Sequence, residues 1–450
     1  MNDIYTRTSR YLSNISIPAF LAFLFIFSLL ISPGLDDVWW RLASGQHTLQ
    51  KLSVLKINSW SFSSETIPWV NHSWLYDVII AKFYNISGLR GLFIFHFLLL
   101  SIIIYKIARP PEDIITSGAT IGALFLLTIH WAVRPFLAGD LFLLGILFYS
   151  TSKNLYSLKG ILGTFLIFLF WANIHGSATG GLVVFIFLIF SAEKHRINWF
   201  FAHAFIGFSA LLINPSGGRL LLLSFQYMQG GFAFLSSLIE WGPPNLIHIS
   251  LMIFILSVLF LKSSPSRKLT KKHILLAGLF IYSMTARRNV PLFAITSLYY
   301  LYQDNKLPLN YSARLKSTVF IISTVMFSFI IKPTPDNTFY PIKILKASET
   351  LNQKEIINVF VPHKWGGAFI FHFKGRFKPF VDARNDCYSE KVFKDYYRIY
   401  YLQKDWYDVL NSYRVDYVIF PSNHPLFNAL RLKNWQPSGP GGQILKAPYY

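Results

Sequence analysis

Two adjacent carboxylates, Asp36 and Asp37, open the run Asp36-Asp37-Val38-Trp39-Trp40-Arg41 just beyond a long apolar stretch. A carboxylate beside apolar surroundings and a second carboxylate has a raised proton affinity, which suits it to take a proton from a hydroxyl. The same pair could hold a divalent cation, Mg or Mn, through oxygen ligands, with water and a phosphate completing the shell. It could equally begin a helix, because Asp favours the N-cap. Four arginines, Arg41, Arg134, Arg287 and Arg288, are the second element. Guanidinium groups grip phosphates through paired hydrogen bonds, and they bind anionic headgroups by the same physics. His72 and His175 could ligate a metal, relay a proton, hydrogen-bond a sugar or serve as structural hydrogen-bonders. Trp39, Trp40, Trp69 and Trp74 offer flat apolar faces, with Asn71 between the last two and Glu240-Trp241 repeating the pairing of acid and aromatic. No serine nucleophile elbow, zinc-protease helix motif or Walker loop occurs. The single cysteine, Cys387, excludes an internal disulfide and a Cys-based zinc cluster.

These residues must be held by something, and composition predicts what. Of 450 residues, 53% are hydrophobic and 14% charged, whereas a soluble domain carries roughly a quarter charged residues. That balance argues against an ordinary cytosolic enzyme and for a surface covered by lipid. The formal net charge of +21 suggests anionic lipids and cytoplasmic loops. The basic residues are scattered among apolar runs, which argues against a nucleic-acid partner. About eleven apolar runs read as spanning helices, from Ile17–Ile31, kept as a helix and not removed as a signal peptide, to Thr318–Ile331. Sorting the connections by parity places the lysine- and arginine-rich loops on one side, which the positive-inside rule makes cytoplasmic. The other side collects the long stretch after Gly34, the turns near Arg134, His175 and Arg287, the segment from Asn214 to Pro244 and everything after Lys332. The expectation is a mainly α, polytopic membrane helix bundle over residues 1–332 with a large first outer loop at 34–88. Its location would be the bacterial inner membrane, multi-pass, with the N-terminus cytoplasmic and residues 333–450 periplasmic.

From about Pro333 the pattern changes. Glu355 to Val361, Phe377 to Asp382 and Val415 to Phe420 read as buried strands, while Ser389 to Gln403 and Trp406 to Tyr413 have helical spacing. Strands alternating with helices predict a compact α/β domain with a mostly parallel sheet. Asp382, Arg384 and Asp386 either line its cleft or pair with one another at a strand end.

Taken in order, Leu35-Asp36-Asp37-Val38-Trp39-Trp40-Arg41, Pro68-Trp69-Val70-Asn71-His72-Ser73-Trp74, Arg134-Pro135, Asn173-Ile174-His175-Gly176, Asn214-Pro215, Trp365-Gly366-Gly367 and Phe380-Val381-Asp382-Ala383-Arg384 carry a resemblance. The chain resembles bacterial glycosyltransferases of the GT-C type, which use polyprenyl-phosphate sugars. The resemblance implies a hexosyl or pentosyl transferase that moves sugar to a glycan, lipid or protein acceptor of the cell envelope. It implies Asp36 or Asp37 as base or metal ligand, and Arg134, Arg287, Arg288 and Arg41 around the donor phosphate. His72, Trp69, Asn71, His175 and Glu240 would then contact substrate. Many members carry spaced carboxylates where this chain has two adjacent ones, a departure that leaves the metal-ligand and general-base roles of Asp36 and Asp37 both open. A transporter or flippase of lipid-linked glycans, or a scaffold recruiting envelope partners through the α/β domain, are the alternative readings.

Overall fold

The computed structural model describes residues 37–107, 114–190, 197–228, 240–263, 270–303, 340–351, 356–439 and 442–448. Among the described residues the chain is mostly helical with one five-stranded sheet, and it divides into two compact units. The first contains Leu92–Ser224 and Ser236–Lys332, preceded by Met1–Pro33. The second joins Gly34–Gly91 and Phe225–Leu235 to Pro333–Tyr450. In chain order the helices begin with α1 (Val38–Lys51), α2 (Trp74–Ser87), α3 (Leu89–Ile107), α4 (Ile114–Leu127), α5 (Phe136–Tyr149) and α6 (Leu158–Ile174). Then come α7 (Ala178–Phe190), α8 (Ile197–Leu212), α9 (Arg219–Met228), α10 (Leu246–Ser263), α11 (Lys271–Thr285) and α12 (Val290–Gln303). The last are α13 (Ile342–Ser348), α14 (His363–His372), α15 (Glu390–Tyr400), α16 (Trp406–Ser412) and α17 (Pro425–Arg431).

The first unit is a helix bundle with α12 at its centre. Phe293, Ala294, Ile295, Leu298 and Leu301 of α12 are buried, as are its polar Thr296 and Ser297. A helix buried nearly all round needs apolar residues on every face, which is why its sequence lacks a polar stripe. Pro291 fits because a first-turn N–H has no intrahelical acceptor to lose. Thr120 Oγ1 and the Tyr302 hydroxyl, 2.6 Å apart, tie α4 to α12.

This architecture corrects the membrane expectation. No helix of the described residues is long and apolar enough to cross a membrane. A span needs about 20 apolar residues, and α4, α5 and α12 have 14 each and α7 has 13. At roughly 1.5 Å per residue, fourteen residues reach about 21 Å. Part of each apolar run packs helix against helix, as α12 shows. The polytopic membrane bundle of about eleven spans, the multi-pass inner-membrane location with its assigned cytoplasmic and periplasmic sides, and the description of the chain as a transmembrane-helix protein are therefore not retained. The first and last expected spans, Ile17–Ile31 and Thr318–Ile331, lie outside the described residues.

The second unit is built on a sheet of order β2-β1-β3-β5-β4, with β1 (Ile357–Phe360), β2 (Phe377–Pro379), β3 (Tyr417–Ile419), β4 (Gln436–Pro437) and β5 (Ile444–Lys446). β2, β1 and β3 run parallel, with Ile357 opposite Phe377 and Val359 opposite Tyr417. β5 and β4 continue antiparallel, with Val418 opposite Leu445. The parallel strands are connected through helices, α14 between β1 and β2, and α15 and α16 between β2 and β3. The stretch 34–88, expected as an outer loop of the helical domain, belongs to this unit. Trp40 and Trp69 share one core with Phe360, Phe380, Tyr396, Val418 and Trp435. Ser61 Oγ donates to the Phe380 carbonyl at 2.9 Å, and α1 lies against α14.

Candidate functional site

Two clusters of polar and aromatic groups form, one in each unit. In the first unit the chain leaves α4 through a short 3-10 turn, Thr128–His130, and enters α5 behind Pro135. That turn sets Phe136 as a platform. His130 stacks on it at 4.6 Å and His175 meets it edge-on at 5.3 Å. The Arg288 guanidinium lies 5.0 Å from the Phe136 ring and 4.1 Å from the Trp241 ring, geometry in which cation and ring quadrupole attract. Arg134 pairs with Glu240. Burial would raise the Glu240 carboxyl, but Arg134 and Arg288 outweigh it and hold it below its ordinary range. The Arg288 N–H donates to the Glu240 carbonyl at 3.1 Å, and the Arg287 N–H to that of Gly242 at 2.7 Å. His130 stands between two acceptors, the Asp140 carboxylate 2.9 Å from Nδ1 and the Arg288 carbonyl 2.8 Å from Nε2. His175 Nδ1 is 2.6 Å from Ser177 Oγ, which also accepts from Trp171. Thus Arg134, His175, Glu240, Arg287 and Arg288, separated by up to 154 residues in the chain (288 − 134), come together in one unit.

In the second unit α1 and α2 approach so closely that a Cβ on Gly45 would lie 2.1 Å from the Asp77 carbonyl oxygen. This brings Arg41 to Asp77, an ion pair of 3.1 Å between buried side chains. Arg41 also donates to Ser73 Oγ at 2.6 Å and lies over the Trp40 ring at 4.2 Å. Asn71 donates to Asp77 and to Ser44, each at 2.8 Å. Burial pushes the Asp77 carboxyl up to about 6, even against the pull of Arg41. Beyond β2, Arg384 pairs with Asp382 at 2.6 Å and donates to Asn58 at 2.9 Å. Its guanidinium lies 5.1 Å from the Trp60 ring and 5.0 Å from the Trp69 ring. Burial would raise Asp382 too, but the Arg384 charge and bonds from Arg384 and Tyr388 hold it low. The pairing reading therefore holds for Asp382 and Arg384.

Asp386 differs. It sits in the 3-10 turn Asn385–Cys387 with its side chain 9% exposed, and its Oδ2 makes no hydrogen bond among the described residues. His72 Nδ1 is 4.0 Å away, too far for one. Burial pushes the Asp386 carboxyl up to about 6, opposed by its own backbone N–H and by Arg384 and Arg41. Three donors of the same unit, Arg41 Nε, Arg384 Nη1 and Asn58 Nδ2, are likewise buried without a hydrogen bond. Each such group costs about 1–3 kcal/mol. Burial holds the neighbouring Cys387 thiol well above its ordinary range, so it is no nucleophile.

Asp37 stands directly before α1, half-buried, with the Trp40 indole N–H 3.5 Å from its Oδ1. Asp36 lies outside the described residues. Among the described residues no three His, Cys, Asp or Glu side chains come together to hold a metal ion. Sequence pattern alone does not mark Asp77 or Asn58 as site residues. Asp77 carried a signal, an acid one helical turn into the apolar run after Trp74. No family model matches the chain, and no curated protein matches it.

Proposed function

We propose that the chain transfers a hexosyl or pentosyl group from a polyprenyl-phosphate donor to a hydroxyl of a glycan, lipid or protein acceptor. The observation that supports this reading is the gathering of Arg134, Glu240, Trp241, Arg288 and His175 around Phe136 from separate segments of one unit. Guanidinium groups suit the phosphate and aromatic faces suit a sugar. Glu240 keeps Arg134 in place until a phosphate competes for it. The resemblance, and not a placement beside the arginines, assigns the proton of the acceptor hydroxyl to a carboxylate, Asp37 or Asp36. The acceptor oxygen forms a bond to the anomeric carbon from the side opposite the phosphate. The carbon–oxygen bond to phosphate breaks, and its electron pair leaves with the phosphate, where the arginines stabilise the growing charge. The donor's lipid part rests on the family resemblance of the motifs.

The test is transfer of labelled sugar from a panel of undecaprenyl-phosphate hexoses and pentoses by the purified full chain. The expected result is product from wild type, a fall of about a hundredfold or more for Asp37→Asn or Asp36→Asn, the scale of general-base catalysis, and a large loss for Arg288→Ala. Absence of product with every donor, from protein that is folded, overturns the reading.

A further inference from the structure

We propose that the α/β unit holds a ligand site of its own, centred on Asp386 and His72, for a neutral pyranoside. The inference is independent of the transfer reading.

Its first support is an imbalance of hydrogen-bonding groups. Three buried donors, Arg41 Nε, Arg384 Nη1 and Asn58 Nδ2, and one acceptor, Asp386 Oδ2, lie in one unit and have no hydrogen bond among the described residues. Arg384 and Arg41 both act electrostatically on the Asp386 carboxyl, and Arg384 is bonded to Asn58. A hydroxyl group offers one donor and two lone pairs, so vicinal hydroxyls can give a hydrogen to Asp386 and accept from N–H groups. A sugar ring supplies several at fixed spacing. An anionic ligand fits worse, because Asp77, Asp382 and Asp386 already crowd the two arginines.

The second support is position. Asp382, Arg384 and Asp386 follow β2 at the carboxyl end of the parallel strands, where open α/β sheets bind ligands. The side chains of His72 and Asp386 are 23% and 9% exposed, and those of Arg41 and Arg384 6% and 0%. The network therefore opens through His72 and Asp386. Trp60, half-buried beside Arg384, supplies an aromatic wall against which the C–H face of a sugar can pack.

The experiment is titration calorimetry of the full chain with methyl α-D-glucopyranoside, methyl α-D-galactopyranoside and methyl α-D-mannopyranoside, with D-glucuronate as the anionic probe. The expected result is saturable binding of at least one neutral glycoside, weakened about tenfold by Asp386→Asn and several-fold by His72→Gln, and unchanged by Arg288→Ala. If Asp386→Asn loses its thermal unfolding transition, His72→Gln alone decides. No binding of any neutral glycoside to folded wild type overturns the proposal, and the unpartnered groups then bind water only. Binding of glucuronate alone, or binding that neither the Asp386 nor the His72 variant weakens, or that Arg288→Ala weakens, overturns it equally.

Discussion

Asp386 and Asp382 are four residues apart and have opposite electrostatic fates. Asp382 is fully paired, and removing its charge leaves Arg384 buried without a counterion. Asp382→Asn should therefore cost about 3–5 kcal/mol near neutral pH, visible as a large drop in the urea midpoint. Asp386 has a folded carboxyl near 6 against an ordinary 3.8. A group raised in the folded state contributes stability that is full below its unfolded value and is lost as pH rises through the folded one. At pH 8 the ionised Asp386 is thus a burden of roughly 3 kcal/mol at most, from about two pH units at 1.4 kcal/mol each. Asp386→Asn should accordingly gain about 1–3 kcal/mol over wild type at pH 8, and the gain should vanish by pH 4. Urea denaturation at the two pH values checks this, and an equal loss at both would show that the ionised carboxylate is not strained. Asp77, also near 6, titrates in the same window but is paired with Arg41, so Asp77→Asn should destabilise at pH 8.

At the scale of elements, two glycines let backbones meet where the network is assembled. A Cβ on Gly366 of α14 would fall 2.5 Å from the Val381 carbonyl oxygen and 2.7 Å from Asp382 Cβ. Backbone cannot turn aside as a flexible side chain can, so Gly366→Ala should cost about 1–3 kcal/mol through overpacking. By contrast, Gly180 in α7 and Gly278 in α11 have nothing within 4 Å of a built Cβ. Alanine there should be neutral or stabilising by up to about 1 kcal/mol, because glycine is the weaker helix former. Thermal melts of the three variants check the contrast.

The elements also explain what was legible in the sequence. Glu355–Val361, Phe377–Asp382 and Val415–Phe420 contain β1, β2 and β3, because buried parallel strands are continuous apolar runs between turn residues. β4 and β5 leave no such run. They are two and three residues long, and β4 is Gln436–Pro437, too short and polar for a period to register. Long apolar helices were legible as helices, but hydropathy cannot separate a helix buried by protein from one buried by lipid. α12 is the clearest case, since its apolar circumference is used against other helices. The Phe136 cluster was partly visible, because Arg134, His175, Glu240 and Arg288 each stand in short polar-aromatic turns. Asn58 and Asp77 were not, since their partners lie 326 and 36 residues away.

At the scale of the molecule, the second unit is discontinuous, and that makes a sharp demand on folding. Trp40 and Trp69 fill the same core as Phe380 and Trp435, and Asn58 bonds Arg384 across 326 residues. Residues 333–450 alone should give poorly dispersed amide spectra, and adding 34–91 through a linker should restore dispersion. A folded 333–450 fragment would mean that the early segment only decorates the sheet.

The first unit makes a different demand. Val183 of α7, Phe205 of α8, Leu222 of α9 and Ile281 of α11 are exposed at 64–73%, and each is large and apolar. Exposed apolar surface of this kind is a source of self-association when uncovered. The purified chain should aggregate in plain buffer and become monodisperse in mild detergent, as read by size-exclusion chromatography with light scattering. Val183→Ser, Phe205→Ser, Leu222→Ser and Ile281→Lys combined should shift that balance toward monodispersity without detergent, with melting behaviour kept, because these side chains pack against little protein. Aggregation unchanged by the quadruple variant would place the sticky surface elsewhere.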